Sequence, residues 1–61
     1  MDQAQLISSI EQQLENLMTL DEDLAWEYEC ALYYDNDEPI VEQFTPELLK
    51  ELEELVYELD N

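Results

Sequence analysis

Apolar residues Leu6, Ile10, Leu14 and Leu17, with Ile7 and Met18 beside them, recur in steps of three and four between Asp2 and about Met18. Such steps return to one side of a 3.6-residue helix, so the segment is predicted to form an amphipathic helix. Its other side, including Ser9, Glu11, Gln12 and Glu15, is polar but only lightly charged, and Asp2 lies near the positive end of the helix dipole.

The last segment carries a second helical pattern. Thr45 is suited to the N-cap, Pro46 to the first helical position where its missing N–H costs nothing, and Glu47 to the first turn. From there to about Leu59, Leu48, Leu52, Leu55 and Leu59 form a seam widened by Leu49 and Val56. Glu47, Glu51, Glu54 and Glu58 repeat by four, three and four on a separate face, which makes a stripe of carboxylates.

Between these segments two periods overlap. Leu20, Leu24, Tyr28 and Leu32 are spaced for a helix, whereas Trp26, Tyr28, Cys30, Leu32 and Tyr34 alternate like a strand. Asp21, Glu22 and Asp23 resemble a cap and first turn, and Ala25 and Ala31 favour helix, so a helix is predicted over about Glu22 to Tyr34. The competing pattern is a hairpin pairing Tyr28–Tyr34 with Ile40–Phe44 across the loop Asp35–Pro39, in α-β-β-α order. The expected fold is thus a single all-α domain of three helices over residues 1–61, with an α+β alternative. The leucine seam of the last helix is also the expected surface of any homodimer.

Charge changes the picture. Lys50 is the only Lys or Arg against 18 Asp and Glu, giving a formal net charge of -17. That is more than a quarter of a net charge per residue, a balance common in disordered chains. The regular apolar spacing, six aromatics and absence of glycine argue for an ordered domain instead. Trp26, Tyr28, Tyr33, Tyr34 and Tyr57 are core candidates, with one or two tyrosines free to anchor an interface. The lone Cys30 permits no internal disulfide, and no apolar run approaches the ~20 residues of a membrane span. A reducing cytoplasm is the expected setting, with no membrane partner.

Little catalytic chemistry can be assembled. Histidine and glycine are absent, which removes the commonest general base and any glycine-rich phosphate loop. One cysteine cannot build a zinc site, and Cys30 between Glu27 and Glu29 is a poor nucleophile, better suited to burial as a small apolar residue. Asp35-Asn36-Asp37 starts like a calcium loop, but Pro39 and Ile40 stand at its fifth and sixth positions and Pro46 at its twelfth. No enzyme activity and no cofactor are expected.

The carboxylates themselves are the candidate site. They form three groups: Asp21, Glu22, Asp23, Glu27 and Glu29; the loop acids Asp35, Asp37 and Glu38; and the stripe Glu47, Glu51, Glu54 and Glu58. Acids four residues apart on a helix are separated by about 6 Å of rise, comparable to neighbouring phosphates on a nucleic-acid backbone. Exposed helices normally alternate Glu with Lys, and a chain that avoids this forgoes ~0.2–0.5 kcal/mol per pair. A use for the charge is therefore expected, namely binding to a basic nucleic-acid-binding protein or complex rather than to nucleic acid itself.

In length, charge and acidic clustering the whole chain resembles the small, acidic, phage-encoded nucleic-acid mimics, among them the anti-CRISPR proteins. The resemblance implies an inhibitor that acts in the host cytoplasm and fills the DNA-binding channel of a CRISPR surveillance complex, foremost a multisubunit type I complex. Other mimics of this class block restriction enzymes, repair enzymes or repressors. A reading of another class is an antitoxin, immunity protein or adaptor that neutralises a basic partner through shape-specific contacts.

Repulsion among the acids opposes the compact state and is screened by salt over ~10 Å at 0.1 M. Raising monovalent salt from low to moderate concentration should therefore raise the melting temperature. A flat or falling value in calorimetry would contradict a stressed acidic surface.

Overall fold

Three side chains that accept a backbone hydrogen bond set the starts of three helices in the computed structural model, which describes residues 2–61. The Asp2 carboxylate accepts from the Gln5 N–H at 2.9 Å and begins α1, Gln3–Leu20. Asp21 accepts from Leu24 N–H at 3.2 Å and begins α2, Glu22–Leu32. Thr45 Oγ1 accepts from Leu48 N–H at 3.1 Å and begins α3, Pro46–Asp60, with Pro46 in the first turn. Each such cap is worth about 1 kcal/mol because it satisfies an N–H that the helix leaves without a partner.

Helix α1 is the hub. Its seam Leu6, Ile10, Leu14 and Leu17 is buried and makes up half of the eight-residue core, which Ala25, Leu32, Phe44 and Leu52 complete. Both α2 and α3 pack on α1, and they touch each other far less. The Cα trace measures 30 × 27 × 14 Å, a flat slab with α1 in the middle. The rest of the α3 seam, Leu48, Leu49, Leu55 and Val56, is half-buried against this core. The leucine face expected to serve a dimer is thus occupied within the chain, apart from Leu59 at 41% exposure.

Only Asp21 separates α1 from α2. Its N–H donates to the Leu17 carbonyl at 2.7 Å, closing α1, while its carbonyl accepts from Ala25 N–H at 3.1 Å, opening α2. The turn is made with extended backbone (φ -151°, ψ 92°) and so requires no glycine. Ala25, one turn beyond the corner, is fully buried, where a methyl group lets α2 approach α1.

The middle segment resolves its two patterns in succession. It is helical to Leu32, two residues short of the expected Tyr34, and then extended at Tyr33, which forms an isolated antiparallel bridge with Pro39. Ile40 N–H donates to the Leu32 carbonyl at 2.8 Å and Tyr34 N–H to the Glu38 carbonyl at 2.9 Å. The alternative hairpin does not form, because Tyr28–Leu32 stays helical and Val41–Gln43 makes one 3-10 turn. Phe44 then drops into the core, 3% exposed, with its ring edge-on to Tyr33 at 5.7 Å and 79°.

At the tip, Asp37 N–H returns to the Tyr34 carbonyl at 2.9 Å and Asp37 adopts φ 65°. This is a three-residue connection with its last residue left-handed, a place that favours glycine. Asp37→Gly should therefore stabilise the fold by up to about 1 kcal/mol, raising the melting temperature by at most ~4–8 °C. Asp35→Asn removes the same charge without relieving that backbone and should give a smaller shift. Equal shifts would assign the effect to charge alone.

Candidate partner-binding surface

The two flanks of α2 carry different chemistry. On one side Trp26, Cys30 and Tyr33 follow at steps of four and three, with Glu29 among them, so they share a flank. This flank faces Glu11, Gln12 and Glu15 of α1, and the Tyr34–Asp37 tip closes the end. The result is an open groove of about 770 Å³ between α1 and α2. On the other side Tyr28 lies beside Glu51 of α3 and Glu27 of its own helix.

The hydroxyl of each half-buried tyrosine is held protonated. Burial, reinforced by the carboxylates of Glu11 and Glu29, pushes Tyr33 up to about 12. Burial and then the Glu51 and Glu27 carboxylates raise Tyr28 as well. A neutral phenol is favoured in both places, since a phenolate would lose water and gain two anionic neighbours.

The twelve sequence-predicted acids divide by environment. Glu47, Glu51, Glu54 and Glu58 are all exposed, and the stripe runs along α3. Glu51 approaches Tyr28, which brings the stripe next to Glu27 of the central group. Glu22 and Asp23 are exposed in the first turn of α2, at the positive end of its dipole. Asp21 is half-buried and its carboxylate is engaged in capping α2, a structural task. Glu29, also half-buried, joins the exposed Asp35 and Asp37 in the groove wall, whereas the exposed Glu38 lies outside it.

Three features differ from the sequence expectation. Glu11 and Glu15, part of a face that looked lightly charged, stand in the groove wall; their four-residue spacing was the available signal. Cys30 is exposed rather than buried, because the core side of α2 is built from Ala25, Leu32 and the half-buried Tyr28, and Cys30 sits on the groove flank. Trp26 is not a core residue: it is 63% exposed, and Tyr34 and Tyr57 are 56% and 71% exposed. Large aromatics usually bury most of their area, so these three stand out on the surface. Among the described residues no group of three His, Cys, Asp or Glu side chains is placed to hold a metal ion, and no helix is long and apolar enough to cross a membrane.

The tyrosines set an alkaline limit. A phenol raised in the folded state favours folding fully below its ordinary value of 10.0, and that contribution is lost as pH rises toward about 12 while the unfolded phenol ionises first. Stability followed by circular dichroism should fall across that interval, and Tyr33→Phe should reduce the fall. An identical pH profile for the variant would show that Tyr33 does not govern it.

Searches of protein-family models, of curated proteins and of solved structures each returned no match to this chain.

Proposed function

We propose that the protein is a non-enzymatic inhibitor that lodges its acidic surface in the basic nucleic-acid-binding site of a partner complex. The observation that carries this reading is the linear charge density. A net charge of -17 over a longest extent of 30 Å is one charge per roughly 1.8 Å, against about 1.7 Å of axis per charge in duplex DNA. A cationic cleft that has evolved against duplex phosphates therefore meets a comparable charge per unit length.

The arrangement of the acids supports the same reading. The α3 stripe spans twelve residues, about 16 Å of helix rise, and its carboxylates are fixed to a capped helix packed on α1. Rigid presentation matters because an array already in place loses little conformational entropy on binding. Within the class that the chain resembles, the proposed target is a CRISPR surveillance complex of type I, acting in a host cytoplasm, whose DNA channel would be blocked. Of the leucine seam considered as a dimer surface from sequence, only Leu59 remains prominently exposed, and the mimicry proposed here is that of a single chain.

One observation favours a second reading, an antitoxin, immunity protein or adaptor that recognises a basic protein by shape. Trp26, Tyr34 and Tyr57 are exposed, and aromatics of this kind are the usual anchors of protein interfaces.

Affinity capture from a bacterial lysate, followed by competition of the captured complex against labelled duplex DNA, separates the two. A mimic displaces the duplex, with affinity that falls steeply as salt is raised. Reversing Glu51, Glu54 and Glu58 to Lys should weaken capture by roughly tenfold or more, a loss of at least about 1.4 kcal/mol, with helix content unchanged. A partner that holds duplex and protein together would refute mimicry.

A further inference from the structure

We propose that the groove between α1 and α2 is a docking site for an arginine-bearing segment of the partner protein, with a guanidinium stacked on Trp26 and bound by Glu11, Glu15, Glu29, Asp35 and Asp37. The proposal deepens the reading above and rests on it in one respect, that the partner is cationic.

The lining restricts the occupant. Five carboxylates around one concavity exclude an acidic segment and repel phosphate, so neither a nucleic acid nor an anionic lipid suits it. A wholly apolar helix would strip water from those carboxylates with no compensating charge. A metal ion would make no use of the indole or the phenols. What remains is a cation with an apolar, planar component.

Arginine meets that description better than lysine. Its guanidinium is planar, weakly hydrated, stacks on aromatic faces and makes paired hydrogen bonds to a carboxylate. Trp26 is the best side chain for such stacking and is 63% exposed on the groove flank. Lysine carries a compact, strongly hydrated charge that gains less from the indole. At about 770 Å³ the groove has room for several side chains, so a short segment is expected rather than a single residue. The α3 stripe offers only the phenol of Tyr57 beside Glu54 and Glu58, a weaker stacking face than an indole, so arginine's advantage over lysine should be smaller there.

The chain supplies two reporters, since Trp26 and Cys30 are its only tryptophan and only cysteine and both line the groove. Acetylated tetra-arginine and tetra-lysine peptides are titrated against the protein at moderate salt. Binding is followed by Trp26 fluorescence and by the rate at which N-ethylmaleimide alkylates Cys30. The arginine peptide should bind roughly fivefold tighter than the lysine peptide and slow the alkylation. Glu11→Gln combined with Glu29→Gln should abolish that preference, while Glu54→Gln combined with Glu58→Gln, which removes the same charge from α3, should preserve it. Melting curves confirm that both pairs fold.

Equal affinity for the two peptides, or equal losses in the two paired variants, would overturn the proposal and leave only diffuse attraction. The duplex-displacement assay fails or succeeds separately. If the Glu11 and Glu29 pair still captures the complex at full affinity and displaces duplex, the groove is refuted and mimicry stands. If the arginine preference is present but captured complexes still hold duplex, mimicry is refuted and the groove stands.

Discussion

The buried seam of α1 is what opposes the charge. Leu6, Ile10, Leu14 and Leu17 lose nearly all their contact with water, and each fully buried aliphatic side chain contributes about 1.5–3 kcal/mol. Sixteen of the 18 carboxylates are exposed and Lys50 is the only Lys or Arg, so the surface supplies little compensating attraction. Seventeen net charges spread over 4476 Å² leave one for roughly every 260 Å², and screening over ~10 Å at 0.1 M salt confines strong repulsion to the clusters. The core can therefore be thin and still hold. It has little to spare, since truncating one of these residues to Ala would cost about 2–5 kcal/mol, comparable to the whole stability of many small domains.

The position of α1 in the slab also explains why the acids fall into separate fields. With α2 on one side and α3 on the other, α2 turns one flank to the groove and the other toward α3. Glu29, Trp26 and Tyr33 belong to the first flank, and Glu27 and Tyr28 to the second. The Tyr33–Phe44 contact fastens the segment after α2 to the core, which holds Asp35 and Asp37 at the groove's end. An extended acidic edge along α3 and a concave groove lined by aromatics and carboxylates thus coexist in 61 residues because different helix flanks carry them.

Local chemistry was legible in the sequence. The caps at Asp21 and Thr45, the placement of Pro46 and the seams of α1 and α3 depend on neighbours within one helical turn, and all but Leu59 of the α3 seam take those places in the structure. The middle segment was ambiguous because both periods are physically present, helical to Leu32 and extended at Tyr33. The stripe on α3 could be read from spacing alone. The groove could not, since it exists only where Glu11 and Glu15 of one helix meet Trp26 and Glu29 of another. Trp26 and Cys30 do lie off the helical row Leu20, Leu24, Tyr28, Leu32, and that offset marked their exposure; hydrophobicity alone pointed the other way.

The corner at Asp21 has a consequence for how such a chain can change over generations. Each residue advances a helix by about 100°. Adding or deleting one residue at this junction would rotate α2 by that angle and present a different row of side chains to α1, exchanging Ala25 for a bulkier neighbour. Side chains on the walls are open to substitution, one at a time, but the count of residues leading into α2 is fixed. Natural variation in length is accordingly expected at the Asp35–Glu38 tip, where an insertion alters reach without re-indexing any helix.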